Sequence, residues 1–119
     1  MQKYTRNYLM AGGKKAFSEY YTVAGENVNF DPSLAENIVF AQHNLVTDQS
    51  FNEFDLILCR NVLIYFNKSL QNQVHNLLHD SLRKTGYLCL GRKEELAFSS
   101  RAQSYKPIDS VEKIYQKIN

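Results

Sequence analysis

The segment Phe54-Asp-Leu-Ile-Leu-Cys-Arg-Asn-Val-Leu-Ile-Tyr-Phe66, followed by a helical period and then by Gly86-Tyr-Leu-Cys-Leu-Gly91, constrains the fold more than any other part of the chain. Phe54 to Cys59 is a short unbroken apolar run bounded by polar residues, the pattern of a strand buried on both faces. Arg60 and Asn61 follow at once, and ligands of open parallel sheets sit beyond the carboxyl ends of strands. A charge and an amide at that point have the position of a binding site. Asn67 supplies a helix cap, and Leu70, Val74, Leu77, Leu78 and Leu82 recur every three or four residues, which places them on one face. Gln71, Gln73, His75, Asp80 and Arg83 fall on the other. The spacing predicts that Gly86 ends this helix in a left-handed conformation and that Tyr87 to Leu90 resumes as a strand. Strand, crossover helix and strand make a βαβ unit, right-handed by strong general tendency.

The flanking segments add shorter elements. Gln2 to Ala11 reads as a helix, with Tyr4, Tyr8 and Leu9 on one face and Gly12-Gly13 as its stop. A helix that begins this close to Met1 without a capping residue reads as a piece of something longer. Ala16 to Phe30 is aromatic and partly alternating, and two short strands about Ala24-Gly25-Glu26-Asn27 predict a β-hairpin. Its aromatics have two readings: packing against the main body, or a docking surface for an extended peptide at an exposed strand edge. Asp31-Pro32-Ser33 starts a helical turn through Asn37. Ile38 to Gln42 reads as a further strand with His43-Asn44-Leu45 at its end, where Asn44 is either a turn former or a ligand contact. Val46 to Glu53 is a polar loop into the central strand. After Gly91, Arg92-Lys93-Glu94-Glu95-Leu96 reads as a short helix or loop. Tyr105 to Asp109 and Glu112 to Ile118 predict an antiparallel hairpin closing one side of the sheet, with Val111, Ile114 and Ile118 as its apolar positions.

Composition narrows the chemistry. The 119 residues suffice for one domain, and 44% hydrophobic with 22% charged residues are ordinary globular values. A net charge of +2, spread along the chain, gives no footprint for nucleic acid. No apolar run approaches the roughly 20 residues of a membrane span, which predicts no membrane insertion. Cys59 and Cys89 fall inside predicted strands and read as reduced cytoplasmic thiols, with Cys59 expected to be buried and inert. His75 and His79 lie four apart on the helix but have no acidic partner of the H-E-x-x-H kind between them, so no metal site is expected. The five glycines form neither a G-x-G-x-x-G nor a P-loop, which counts against a complete nucleotide site.

At this point a family resemblance enters. The 54–66 string, preceded by His43-Asn44-Leu45 and followed by Gly86 to Gly91, resembles the CheR-type chemotaxis receptor methyltransferases. Tyr8 to Tyr21, with Gly12-Gly13 and Phe17-Ser-Glu-Tyr-Tyr21, resembles the segment that leads from the Rossmann-like core of that family into a small β-subdomain. The resemblance covers nearly the whole chain. It implies an α/β fold: the C-terminal portion of a Rossmann-like class I methyltransferase sheet over residues 1–119, with an inserted β-hairpin at 16–30 and a C-terminal antiparallel hairpin. It also implies an S-adenosylmethionine-dependent protein-glutamate O-methyltransferase acting on the cytoplasmic domains of chemoreceptors or related signalling proteins. Asn44, Leu45, Arg60 and Asn61 match the family's cofactor-contacting pairs, and Tyr65 matches an aromatic near the transfer site.

The departures from the family pattern are specific. The family's N-terminal helical domain, glycine-containing cofactor loop and ribose-holding acid all belong before the point where this chain starts. Arg92-Lys93 stand where the family commonly has His-Ser. The alternative reading is a catalytically inactive docking or regulatory module derived from the same fold; a methyltransferase for small molecules shares the fold but not the receptor-type string. By the family's strand order, Ile38 to Gln42 lies at a far edge of the sheet, two strands away from Phe54 to Cys59. The edge of Phe54 to Cys59 is then unpaired, which predicts either that the Ile38 strand moves across to it or that two copies self-associate there.

Overall fold

The computed structural model describes residues 1–50 and 53–119. Phe51 and Asn52, within the loop read between Val46 and Glu53, lie outside the described residues. The chain divides into two compact units, Met1–Ala41 and Gln42–Asn119.

The first unit begins with helix α1, Gln2–Met10. Gly12, with φ 92°, ends it. The Gly12 N–H donates to Leu9 O and the Gly13 N–H to Tyr8 O, the paired bonds of a Schellman motif. A Cβ at Gly13 would collide with the Tyr8 ring, so the second glycine is needed for the close approach of that ring. Strands β1, Tyr21–Ala24, and β2, Asn27–Phe30, pair antiparallel with Ala24 opposite Asn27. The two-residue loop between them starts on Gly25 at φ 64°, the positive angle that a type II′ hairpin requires at its first position. Tyr8 stacks on Phe17 at 5.2 Å, and Phe17 meets Tyr21 at 5.3 Å and Phe30 at 6.2 Å. These rings are the substance of the unit, because none of its residues is fully buried. Asp31 caps the following 3₁₀ turn, Pro32–Ala35, by accepting the Ser33 N–H.

Ile38 to Gln42 does not form the expected strand: no residue there is paired, and Val39 and Phe40 are 92% and 82% exposed. A strand exists only where a neighbouring strand takes up its backbone N–H and C=O groups; here the Ile38 N–H donates instead to Ala35 O at 3.1 Å and closes a turn.

The second unit carries the βαβ motif. Strand β3, Phe54–Cys59, pairs in parallel with β4, Leu82–Leu90, and α2, Lys68–Ser81, makes the crossover. Asn67 caps α2 by accepting the Leu70 N–H at 2.9 Å. The C-terminal hairpin pairs β5, Tyr105–Asp109, with β6, Ile114–Lys117, and β6 lies antiparallel to β4. The sheet order is therefore β3-β4-β6-β5, the mixed sheet and closing hairpin that the fold class requires. Its core joins Val74 and Leu78 of α2 to Cys59, Leu82, Leu88, Leu90, Tyr105 and Tyr115 of the sheet, with Leu63 and Leu96 from the connecting segments.

Four expectations are corrected here. Strand β3 is not buried on both faces: Leu56 and Leu58 are 55% and 66% exposed, because only the face turned to the core is covered and β3 is an edge strand. Helix α2 stops at Ser81, not at Gly86, and β4 begins directly on Leu82. The left-handed residue of this region is Thr85, with φ 70°. His75 is buried and not on the solvent face. In the hairpin, Val111 and Ile118 are exposed while Tyr115 is the buried anchor.

Candidate functional site

Register places the carboxyl ends of the two parallel strands side by side. Cys59 pairs with Leu90, so the chain leaves β3 at Arg60-Asn61 next to where it leaves β4 at Gly91. Both exits meet at one side chain, Glu94, which is 3% exposed. Its Oε1 accepts the N–H of Asn61 at 2.8 Å and of Gly91 at 2.7 Å, and its Oε2 accepts the N–H of Leu63 at 2.8 Å. Hydrogen bonds from backbone N–H groups to a carboxylate are the charge-assisted kind, shorter and stronger than neutral ones. Asn61 itself is held at φ 61°, the left-handed region in which asparagine is several-fold enriched. Gly91 has no room for a side chain: a Cβ there would collide with Asn61 Oδ1 and lie 2.7 Å from Glu94 Oε1.

The loop continues into a 3₁₀ turn, Leu63–Tyr65, that is fastened from the helix side. Gln71 donates both to Leu63 O at 2.9 Å and to Phe66 O at 3.0 Å. Residues 60–66 are thus tied to the chain after β4 by Glu94 and to α2 by Gln71, and they present Asn61, Ile64 and Tyr65 outward. Tyr65 is 80% exposed.

Asn44 and Leu45 occupy a neighbouring position. With Gln42, His43, Val46, Asp48 and Phe66 they line an open hollow of about 570 Å³. Asn44 Oδ1 accepts the N–H groups of Val46 at 3.0 Å and Thr47 at 3.3 Å, and the Asn44 N–H donates to Asp48. The side chain therefore shapes its own turn, and its NH2 is what it can offer a ligand. Leu45 is partly buried against the core cluster. The structure so brings Asn44 and Leu45 to Phe66, at the far end of the loop that starts with Arg60 and Asn61. Arg60 is exposed, and its charge helps the Arg92 guanidinium hold the Glu112 carboxylate below its ordinary pKa.

Arg92 turns to a paired ion bridge with Glu112 at the β5–β6 hairpin. Lys93 lines a smaller cleft of about 190 Å³ with Leu63, Ile64, Glu94, Glu95 and Phe98. Both helix histidines are buried. His79 Nε2 lies 3.0 Å from Asn119 O. Burial pushes the His75 pKa down, against the opposing effects of the Glu95 backbone and the Glu94 charge. Among the described residues, no group of three or more His, Cys, Asp or Glu side chains could hold a metal ion. Burial and the Glu94 charge push the Cys59 thiol up to about 11.

Residues 1–113 match the family described as CheR methyltransferase, SAM binding domain. The chain belongs to that family. It is similar to the "Putative methyltransferase Cher3" of Pseudomonas putida, 46% identical over 117 residues that make up 98% of this chain and 43% of the relative. It is also similar to a "Chemotaxis protein methyltransferase" of Listeria innocua, 40% identical over 72 residues, 60% of this chain and 28% of the relative. The "Chemotaxis protein methyltransferase 1" of Pseudomonas aeruginosa is 36% identical over 66 residues, 55% of this chain and 24% of the relative. The chain spans less than half the length of these relatives.

S-adenosylmethionine is the cofactor of the CheR family. The Asn61 carboxamide and the exposed Arg60 stand at the joined carboxyl ends of two parallel strands, where ligands of open sheets sit, while the space at Gly91 is already filled by Asn61 Oδ1 and Glu94 Oε1. The residues present fit part of such a cofactor. Arg60 and Asn61 stand out in the sequence because they come straight after the apolar run Phe54 to Cys59, and Asn44 because it lies shortly after Ile38 to Ala41; Glu94 and Gln71 do not stand out, because their partners lie far along the chain or inside a loop without periodicity.

Proposed function

We propose that this CheR-family chain is part of an S-adenosylmethionine-dependent protein-glutamate O-methyltransferase that acts in the cytoplasm on the cytoplasmic domain of a chemoreceptor or a related signalling protein. The observation that carries this reading is the family match across residues 1–113, together with a carboxyl-end loop built around Asn61. Among the described residues no helix is long and apolar enough to cross a membrane. In this reading Asn44, Leu45, Arg60 and Asn61 contact the cofactor and Tyr65 borders the transfer site.

The chemistry asks mainly for geometry. When bound, S-adenosylmethionine supplies a methyl group on a sulfonium, already a good leaving group. A glutamate carboxylate is already a nucleophile at neutral pH, so the protein has no base to provide. In this reading Tyr65 and the hollow beside Phe66 hold the carboxylate in line, and the acceleration comes mainly from that positioning.

Two measurements test the reading. The 119-residue chain is expected to bind S-adenosylmethionine far more weakly than a low-micromolar constant, because it holds no glycine-rich loop; each missing charged or buried hydrogen bond costs about 1.5–3 kcal/mol. Calorimetric titration of the chain checks this. In a chimera that takes its remaining length from the Pseudomonas putida relative, Asn61→Ala is expected to weaken the cofactor about tenfold with little change in melting temperature. A large drop in melting temperature with unchanged affinity would make Asn61 a structural turn instead.

A further inference from the structure

We infer that Glu94 is the positioning residue of the cofactor loop, fixing Asn61 through the backbone without touching the cofactor itself; the inference rests on the reading of Asn61 as a cofactor contact. Its carboxylate gathers the N–H groups of Asn61, Leu63 and Gly91 at 2.7–2.8 Å. Two of these lie on the exit from β3 and one on the exit from β4, so a single group sets the separation of the two strand ends. It also holds Asn61 in its left-handed conformation: a bond to the Asn61 N–H on one side and one to the Leu63 N–H on the other leave the intervening backbone little freedom. The side chain is 3% exposed. A buried carboxylate is costly unless it is hydrogen-bonded, and these three donors offset that cost while converting it into a defined loop shape. Gly91 belongs to the same device, since any side chain there would displace either the Asn61 carboxamide or the Glu94 carboxylate.

Glu94→Gln is nearly isosteric but turns an NH2 toward the Leu63 N–H if its carbonyl oxygen keeps the Asn61 and Gly91 bonds. Two donors then face each other and the loop must shift. In the 119-residue chain, Glu94→Gln is expected to fold, with the Leu63 amide losing protection from hydrogen exchange and the Asn61 and Gly91 amide resonances moving. In the chimera with the Pseudomonas putida relative, Glu94→Gln and Gly91→Ala are each expected to raise the dissociation constant and KM for S-adenosylmethionine about tenfold, with kcat changed less than threefold, as one lost charged hydrogen bond implies. Asn61→Ala in the same chimera separates the two levels of the argument. If Asn61→Ala weakens the cofactor while a folded Glu94→Gln leaves its affinity within twofold of the original, the positioning role is wrong and the site reading stands. If Asn61→Ala also has no effect, the site reading fails and this inference with it. A Glu94→Gln chain that does not fold overturns the inference too, since Glu94 is then a residue that holds the fold and not one that tunes the site.

Discussion

Cys59 shows how one residue of this site responds to its surroundings. It ends β3, directly before Arg60, and is 7% exposed. Burial, and then the charge of Glu94, push its thiol up to about 11 from an ordinary value of 9.0. The folded state therefore binds the thiol proton more tightly than the unfolded chain does. Stability from the neutral thiol is complete below about pH 9 and is lost as pH rises through about 11. Tyr105, pushed up to about 12 by burial, adds a second loss above pH 10. Melting temperatures measured between pH 8 and pH 11 should fall, and Cys59→Ala should flatten the first part of that fall; an unchanged slope in Cys59→Ala would show that the thiol does not titrate with folding. The inert thiol was legible from its place in an apolar run. Glu94 was not: in sequence it is one of several charges after Gly91, and nothing local says that it turns inward to three backbone N–H groups.

Elements were legible where their signals are local. The start of α2 is set by Asn67, and Val74, Leu77 and Leu78 of the spaced apolar set are buried, while Leu82 falls in β4 and His75 of the opposite set is buried as well. The end of α2 depends on residues far along the chain. Lys117 donates to His79 O and Leu82 O, both at 2.7 Å, and so satisfies carbonyls at the helix terminus from 35 residues or more away. Pairing of Phe54 with Leu82 then draws the chain into β4 at once. Gly86, freed from ending the helix, serves a different purpose. A Cβ there would lie 2.8 Å from Leu82 Cδ1, 2.9 Å from Arg83 O and 3.0 Å from Asp55 O. Two of those atoms belong to backbone of β4 and β3, which cannot yield without disturbing the ladder. Gly86→Ala should therefore destabilise the chain by about 1–3 kcal/mol, the usual cost of overpacking. Denaturant unfolding checks this, and a variant as stable as the original would mean that the β3–β4 pairing relaxes freely.

At the scale of the whole molecule, the open side of β3 is the main feature left to account for. Among the described residues β3 has one partner, β4. Of the two outcomes expected from strand order, pairing with another molecule is the one that sedimentation can decide. The edge is apolar as well as unpaired: Phe54, Leu56 and Leu58 are 38%, 55% and 66% exposed, and Tyr87 on the adjacent strand is 41% exposed. Natural edges are blunted by charges, prolines or bulges, and β3 carries a single charge, the exposed Asp55 paired with Arg83; its apolar remainder is a template for another strand. The one irregularity, a register shift between Phe54 and Leu56, lies at the start of β3 and leaves Ile57 to Cys59 regular. The isolated chain at tens of micromolar is therefore expected to sediment as a self-associated species through β3 edges of two copies. Leu58→Lys, which places a charge on the exposed face without touching the core, should shift it toward monomer while leaving the melting transition intact. A strictly monomeric chain whose Phe54 to Cys59 amides exchange rapidly with solvent would show that the edge frays instead of pairing.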